Sequence, residues 1–162
     1  MSMRLFFVIN VFLAFLWAIL MQSLSIVDFL VGFAIGFAIM SLVDPQYSVR
    51  GIRIPILLLY ILWDVFVSSL IVAGYILRPN PNIRQGIIAV PLDVSAPVEI
   101  AALASIITLT PGTMTVELGK DLATGQQVLF VHALNVDEPD ELVKKIKGGF
   151  ERQILQITRG AV

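Results

Sequence analysis

Three long apolar runs open the chain, and short alternating runs close it. Residues 5–21 are apolar except for Asn10. Residues 26–43 carry a single charge, Asp28, near their start, and residues 54–77 carry a single charge, Asp64, near their middle. At about 1.5 Å per helical residue, each run comes close to or reaches the ~30 Å hydrocarbon core of a bilayer. Gln22, Ser23, Leu24 and Ser25 make a short polar hinge, which predicts a tight helical hairpin from the first two runs. Asp44-Pro45 predicts the end of the second helix, because proline cannot continue the hydrogen-bond ladder. Pro55 suits the first turn of a third helix. A cleaved leader is disfavoured: Arg4 precedes the first run, but residues 22–25 lack a small-residue cleavage site and a second run follows at once.

Beyond residue 77 the pattern changes. Arg78-Pro-Asn-Pro-Asn82 predicts a rigid, turn-rich exit. Residues 86–92 read as a buried strand, and residues 96–109 as a helix with Ser95 as its N-cap and Pro97 in its first turn. That helix is apolar nearly all round, which predicts a cover on most sides by the sheet and by lipid headgroups or a partner. Thr110-Pro111-Gly112-Thr113 predicts a turn. Residues 113–118 and 127–134 alternate as strands joined by a hairpin loop. Leu142, Val143, Ile146, Phe150, Ile154 and Ile157 form one stripe at helical spacing, which predicts a last helix over residues 138–158. Asp137 reads as its cap, with Asp140 as reciprocal partner, and Lys144, Lys145, Lys147 and Arg152 fall on its wet side. The order β-α-β-β-α predicts a small α+β domain, ferredoxin-like without the last strand. The organisation is thus a membrane helical region over residues 1–77, with helices at 5–21, 26–43 and 54–77, and a membrane-proximal soluble domain over residues 78–162.

Charge follows the same division. Of 11 Lys/Arg and 12 Asp/Glu, only three of each precede residue 78. Hydrophobic residues make up 57% of the 162, above the ~45–50% usual for soluble domains, so the excess needs lipid. A net charge of −1 gives no sign of nucleic-acid binding. The absence of cysteine removes thiolate chemistry and Cys-based metal sites, and one histidine is little material for a metal centre. Arg4, Arg50 and Arg53 on one side and Arg78 and Arg84 on the other give only a weak positive-inside signal, which leaves the parity of crossings open.

Few residues carry chemistry. A carboxylate inside a membrane helix costs ~2.5–3.5 kcal/mol and normally faces protein, water or a partner. For Asp64 the leading reading is a structural contact to a polar or basic group on another chain; a place in an ion path is the second. Asp28 sits where water reaches it. Gly32 and Gly36 form G-x-x-x-G, a helix-packing face or a chance spacing in a Gly/Ala-rich helix. His132 in its strand reads as structural or partner-facing. The threonines beside Pro111-Gly112 could bind an anion in a turn nest, but turn chemistry explains them more simply. No nucleotide-loop or zinc motif is present, so no catalytic, cofactor or metal residues are assigned.

The segments Asn82-Ile-Arg84-Gln-Gly86-Ile-Ile-Ala-Val-Pro91, Ile107-Thr-Leu-Thr-Pro-Gly-Thr113, Val131-His-Ala-Leu134 and Ile146-Lys-Gly-Gly-Phe-Glu151 together carry a resemblance. The chain resembles the E subunit of the Mrp-type multisubunit Na⁺/H⁺ antiporter over essentially its whole length, the first 50 residues in hydrophobicity and length only. The resemblance implies a bacterial inner-membrane assembly that exchanges cytoplasmic Na⁺ for H⁺ under the proton-motive force. Its large complex-I-like subunits carry the ions, and the E subunit is a small accessory component with its C-terminal domain in the cytoplasm. It implies no active site. Asn82, Arg84, Thr110, Pro111, Gly112, Thr113 and His132 then read as domain architecture or docking surface. Two other readings stand beside it: a direct part in the ion pathway through Asp64, and a freestanding membrane-anchored adaptor.

Overall fold

The computed structural model describes residues 3–23, 25–79, 81 and 83–160, with side chains from Leu5 onward. Leu24 of the hinge and Asn82 of the exit segment lie outside the described residues. The chain forms two compact units, Met1–Ile52 and Arg53–Val162.

The first unit is a helical hairpin, α1 (Met3–Leu20) and α2 (Ile26–Val43), joined by the opening turns of α3 (Pro45–Leu77). At the hinge, Gln22 takes φ +53°, and the Gln22 and Ser23 amides bond back to the Ile19 and Ala18 carbonyls, which closes the end of α1. Ser25 caps α2 by accepting from the Val27 amide at 3.2 Å. Asp28 lies in the first turn of α2 and accepts from the Ser23 hydroxyl at 2.5 Å, where a negative charge suits the helix dipole. On α1, Asn10, Ala14 and Ala18 are buried at successive turns and make its inner face. Gly32 and Gly36 are the buried residues of α2 and receive that face. Tyr47 closes the unit: its ring lies 5.8 Å from Phe6 and 5.4 Å from Phe37, and its hydroxyl accepts from the Asn10 amide at 3.2 Å.

The third helix departs from the expectation. It starts at Pro45 and runs 33 residues with Pro55 inside it. Pro45 both ends α2 and begins α3: Asp44 Oδ1 accepts from the Gln46 amide at 2.9 Å as the new N-cap, and proline at a first helical position loses no hydrogen bond. Among the described residues, α2 and α3 are long and apolar enough to cross a membrane, while the apolar part of α1, Leu5–Leu20, is shorter.

The second unit holds a three-stranded sheet in the order β1-β3-β2, with β1 (Gly86–Pro91) and β2 (Thr113–Lys120) each antiparallel to the central β3 (Gln127–Ala133). β1 and β2 are therefore parallel, joined by a crossover through α4 (Pro97–Leu109). Such a crossover needs the dozen or so residues that α4 supplies. The chain then runs through α5 (Pro139–Lys145), a π-helical stretch (Ile146–Glu151) and α6 (Arg152–Thr158). This is the ferredoxin-like order without its last strand. One core contains Val90, Leu103, Ile107, Leu129, Val131, Ile146, Phe150 and Ile154, and α3 contributes Ile61 with Leu57, Tyr60 and Val65 against it. The change of composition at residue 77 and the division between compact units are thus different lines. α3 enters the second unit from Arg53 onward because one of its faces belongs to that core.

Both expected helix caps move by one residue. Ala96, not Ser95, is the N-cap of α4, and Glu138, not Asp137, is the N-cap of α5. Proline follows each and fixes the first helical position. Asp137 instead accepts from Asn135 Nδ2 at 2.6 Å. Two carboxylates hold the segment that leads into α4. Glu151 Oε1 accepts from the Asp93 and Val94 amides at 2.6 and 3.0 Å, and Glu99 Oε2 accepts from the Ser95 and Ala96 amides at 3.2 Å each. Four consecutive N–H groups of the segment that leads into α4 are satisfied this way. Glu99 also takes the Thr158 hydroxyl at 2.6 Å and Arg159 Nη2 at 2.9 Å. Lys147 bridges Pro91 O, Asp93 and Glu151 at 2.8, 2.8 and 3.2 Å. Burial works against its charge, but Asp93 and Glu151 prevail and raise its pKa.

Glu99 ties stability to pH. Burial opposes its ionisation, yet the bonds from Thr158, Arg159, Ala96 and Ser95 lower its pKa from 4.5 to about 2. A carboxyl whose pKa is depressed on folding adds stability that is full above its unfolded value and is lost as pH falls through its folded value. The window here runs from about 4.5 down to about 2. Between pH 7 and 3.5 the Glu99 contribution should fall by roughly 1 kcal/mol. Thermal melts of the wild-type chain and Glu99→Gln across that range check this. The variant, less stable at pH 7, should close part of the gap as the pH drops; a constant gap would refute the assignment.

Candidate functional site

Asp64, Ser68, Val72 and Tyr75 recur at helical spacing along α3. Asp64 and Ser68 are 8% and 7% exposed, so this polar strip of an apolar helix is turned into protein. Opposite it stand the Thr110–Thr113 turn, the end of β3 and α5. Lys145 Nζ, from α5, meets Asp64 Oδ1 at 2.6 Å. The basic partner of this carboxylate therefore comes from the same chain. Lys145 does not sit free on the wet side of its helix: its stem crosses to α3 while its side chain stays about half exposed, as amphipathic lysines do. Asp64 Oδ2 is buried and has no hydrogen-bond partner among the described residues. A carboxylate oxygen so placed keeps the full cost of lost hydration until a donor reaches it.

A cavity of about 160 Å³ opens between these elements, lined among others by Ser68, Tyr75, Thr110, Gly112, Asn135 and Lys145. The turn that bounds it is held tightly. Thr113 Oγ1 donates to the Ile107 and Thr110 carbonyls at 2.8 and 3.1 Å, and Thr110 Oγ1 donates to the Ile106 carbonyl at 3.2 Å. Gly112 has φ +88°, where a side chain is strained, and its carbonyl accepts from the Leu134 amide at 2.8 Å. These bonds occupy the threonine hydroxyls with turn geometry. Asn135 joins the cavity to the chain entering β1: its Nδ2 donates to the Tyr75 hydroxyl at 3.3 Å, and its Oδ1 accepts from the Arg84 amide at 3.0 Å.

The residues singled out in the sequence thus divide into four places. Thr110, Pro111, Gly112 and Thr113 line the cavity, with Lys145 linking it to Asp64. Arg84 reaches this network through its backbone, and its side chain is exposed. His132 pairs across to Ile87 and Met114 and, by strand alternation, lies on the sheet face away from Val131 and the core. Gly32 and Gly36 belong to the other unit. Sequence reasoning missed Lys145, Tyr75 and Asn135 in the cavity, and Glu99 and Glu151 in the clamp. Glu99 had a visible signal: it is a lone carboxylate at the third position of an otherwise apolar helix, where reciprocal capping places one.

Comparison with known proteins gives a consistent result. A family model described as Na⁺/H⁺ ion antiporter subunit matches residues 10–157. The E subunit of the Na(+)/H(+) antiporter of Alkalihalophilus pseudofirmus is 30% identical over 156 residues, 93% of this chain and 96% of that one. Among solved structures, a chain of the membrane-bound sulfane sulfur reductase, an archaeal respiratory membrane complex, is 25% identical with TM-score 0.56, covering 94% of this chain and 98% of that one. A chain of the Mrp complex from Dietzia sp. DQ12-45-1b is 28% identical with TM-score 0.49, covering 67% and 98%.

Proposed function

This chain belongs to the Na⁺/H⁺ ion antiporter subunit family, and on that footing we infer that it is an accessory, structural E subunit of a multisubunit cation/proton antiporter. In this reading the ions cross on large complex-I-like partner subunits of the bacterial plasma membrane. Those subunits exchange cytoplasmic Na⁺ for H⁺ under the proton-motive force, and the E subunit supports their assembly. Its N-terminal helical region anchors it in the membrane, and the domain from residue 78 lies on the cytoplasmic side. The observation that carries the reading is the Asp64–Lys145 pair. The carboxylate within the apolar stretch of α3 is already neutralised by its own chain, as a structural element is. Glu99 and Glu151 likewise spend their charge on backbone amides.

The unpartnered Asp64 Oδ2 favours the second reading, a direct contribution to the ion path. One experiment separates the readings. The tagged chain, wild-type or Asp64→Asn, is pulled from native membranes in mild detergent, co-eluting subunits are identified by mass spectrometry, and Na⁺/H⁺ exchange is measured in everted vesicles. An accessory role predicts that large antiporter subunits co-elute with both forms and that exchange stays within about twofold for Asp64→Asn, since an amide oxygen still accepts from Lys145. Intact assembly with exchange abolished would move the ion path onto this chain. Elution of the chain alone would leave a freestanding anchored adaptor.

A further inference from the structure

From Leu57 onward α3 has two faces of opposite kind. One face belongs to the second unit: Leu57, Tyr60, Ile61 and Val65 pack on its core, and Ser68, Val72 and Tyr75 face the Thr110–Thr113 turn, Leu142 and Lys145. That contact runs over about 27 Å of helix, nearly the ~30 Å depth of a hydrocarbon core. A crossing α3 would therefore carry α5 into lipid with it, and α5 exposes Asp140, Glu141 and Lys144. Ionised side chains avoid that environment unless a partner or water meets them. The other face is bare and uncharged. Leu59, Leu62, Trp63, Phe66 and Leu70 are each more than half exposed, and between Arg53 and Arg78 the sole charge, Asp64, is turned to the domain. A helix with its polar strip on a water-facing domain and its bare side apolar suits the plane of a membrane surface.

The arginines agree. No Lys or Arg lies between α1 and α2, while Arg4 stands at the start of α1 and Arg50, Arg53, Arg78 and Arg84 follow the end of α2. If α1 and α2 alone cross, all of these arginines fall on one side and none on the other, a clear positive-inside bias; a third crossing splits them. We propose that α3 lies along the membrane surface with Leu59, Trp63, Phe66 and Leu70 against lipid, so that the chain crosses twice and Arg4, α3 and the domain share the cytoplasmic side. Continuity argues for lipid over a partner's helix. Only Asp44 separates α2 from α3, so α3 starts at the level where α2 leaves the bilayer. Trp63, in the middle of the bare face, is the residue type that favours the headgroup level. The inference rests on the reading of the N-terminal region as a membrane anchor with the domain in the cytoplasm, and its test separates the two.

The chain lacks cysteine, so single cysteines report its topology in the assembled complex. Gln22→Cys, Gln46→Cys and Pro79→Cys, each checked for assembly by co-elution, are treated with a membrane-impermeant maleimide in right-side-out and in everted membrane vesicles. Gln22→Cys should react only in right-side-out vesicles, and Gln46→Cys and Pro79→Cys only in everted ones. Reaction of Gln46→Cys and Pro79→Cys from opposite sides overturns the proposal. Reaction of both from the outer side would leave α3 uncrossed and overturn instead the cytoplasmic placement of the domain. Nitroxides on Leu59→Cys, Trp63→Cys, Phe66→Cys and Leu70→Cys then give the depth of the bare face. A helix lying flat puts all four at one depth, about 5–10 Å into the headgroup and acyl boundary, whereas a crossing helix spreads them over about 16 Å and overturns the proposal. Nitroxides shielded from both water and lipid-borne oxygen would put another subunit on this face and overturn lipid as its occupant.

Discussion

Replacing Gly32 with leucine unseats α1 from α2 and costs about 3 kcal/mol or more of the hairpin's stability. Even a single Cβ at Gly32 would lie 2.7 Å from Trp17 Cβ, 2.9 Å from the Ala14 carbonyl oxygen and 3.0 Å from Ala14 Cα. Two of these atoms are backbone and the third is fixed to it, so no rotamer change relieves them. Overpacking usually costs ~1–3 kcal/mol and more where the surroundings cannot yield. Gly36→Ala acts in the same direction but more mildly, because its clash is with the Asn10 side-chain amide, which can turn. The two tryptophans are Trp17 and Trp63. In a Trp63→Phe background, Trp17 fluorescence therefore follows the α1–α2 contact directly during denaturation. A Gly32→Leu midpoint within about 0.5 kcal/mol of the parent, the range of an inconsequential surface change, would mean the helices do not meet as described.

Lys145→Met should destabilise the second unit by roughly 3 kcal/mol, and removing its partner as well should recover most of that loss. Taking away one member of a buried pair leaves the other charged and alone, at a cost of ~3–5 kcal/mol, whereas apolar replacement of both is often neutral or better. The low end applies because Lys145 is about half exposed while Asp64 is nearly buried. The asymmetry follows from the same numbers. Asp64→Leu frees an ammonium that can swing into water, so it costs less than Lys145→Met, which strands a carboxylate already short of a donor at Oδ2. A double-mutant cycle on Lys145→Met and Asp64→Leu, read by thermal unfolding in detergent, gives the coupling. A coupling near zero would show that the two groups do not depend on each other.

Much of the fold lies in local pattern and is legible there. The three strands and the helices between and after them follow from alternation and turn residues, while the Gly32–Gly36 spacing offers a packing face without distinguishing it from a chance one. What faces these elements is not legible, because it depends on contacts between distant segments. Nothing near Gly32 in sequence points to Ala14, and nothing near Asp64 points to Lys145. Lys145 reads as a solvated residue because helical periodicity ranks positions by the stripe of its own helix. The strip that claims it belongs to α3. Pro45 and Pro55 mislead for a physical reason: a proline that breaks one helix and a proline that opens the next carry the same local signature, and only the Asp44 cap decides between them. Periodicity places the last helix correctly but gives no sign of its π-helical turn over Gly148 and Gly149. There Gly149 lets the Tyr60 hydroxyl come within 2.7 Å of where a Cβ would be, a cross-helix contact that periodicity does not encode.

The Asp64–Lys145 pair also imposes an order of events. Synthesis runs from the N-terminus, so the carboxylate exists well before its ammonium does. α3 must therefore commit to its surroundings on the strength of its apolar residues alone, carrying an acid that nothing yet balances. Lys145 arrives with α5, after all three strands are made and just ahead of the core residues Ile146, Phe150 and Ile154. The ion pair is in that sense a late latch: like the core that needs Ile146, Phe150 and Ile154, it cannot close until the last helices have been made.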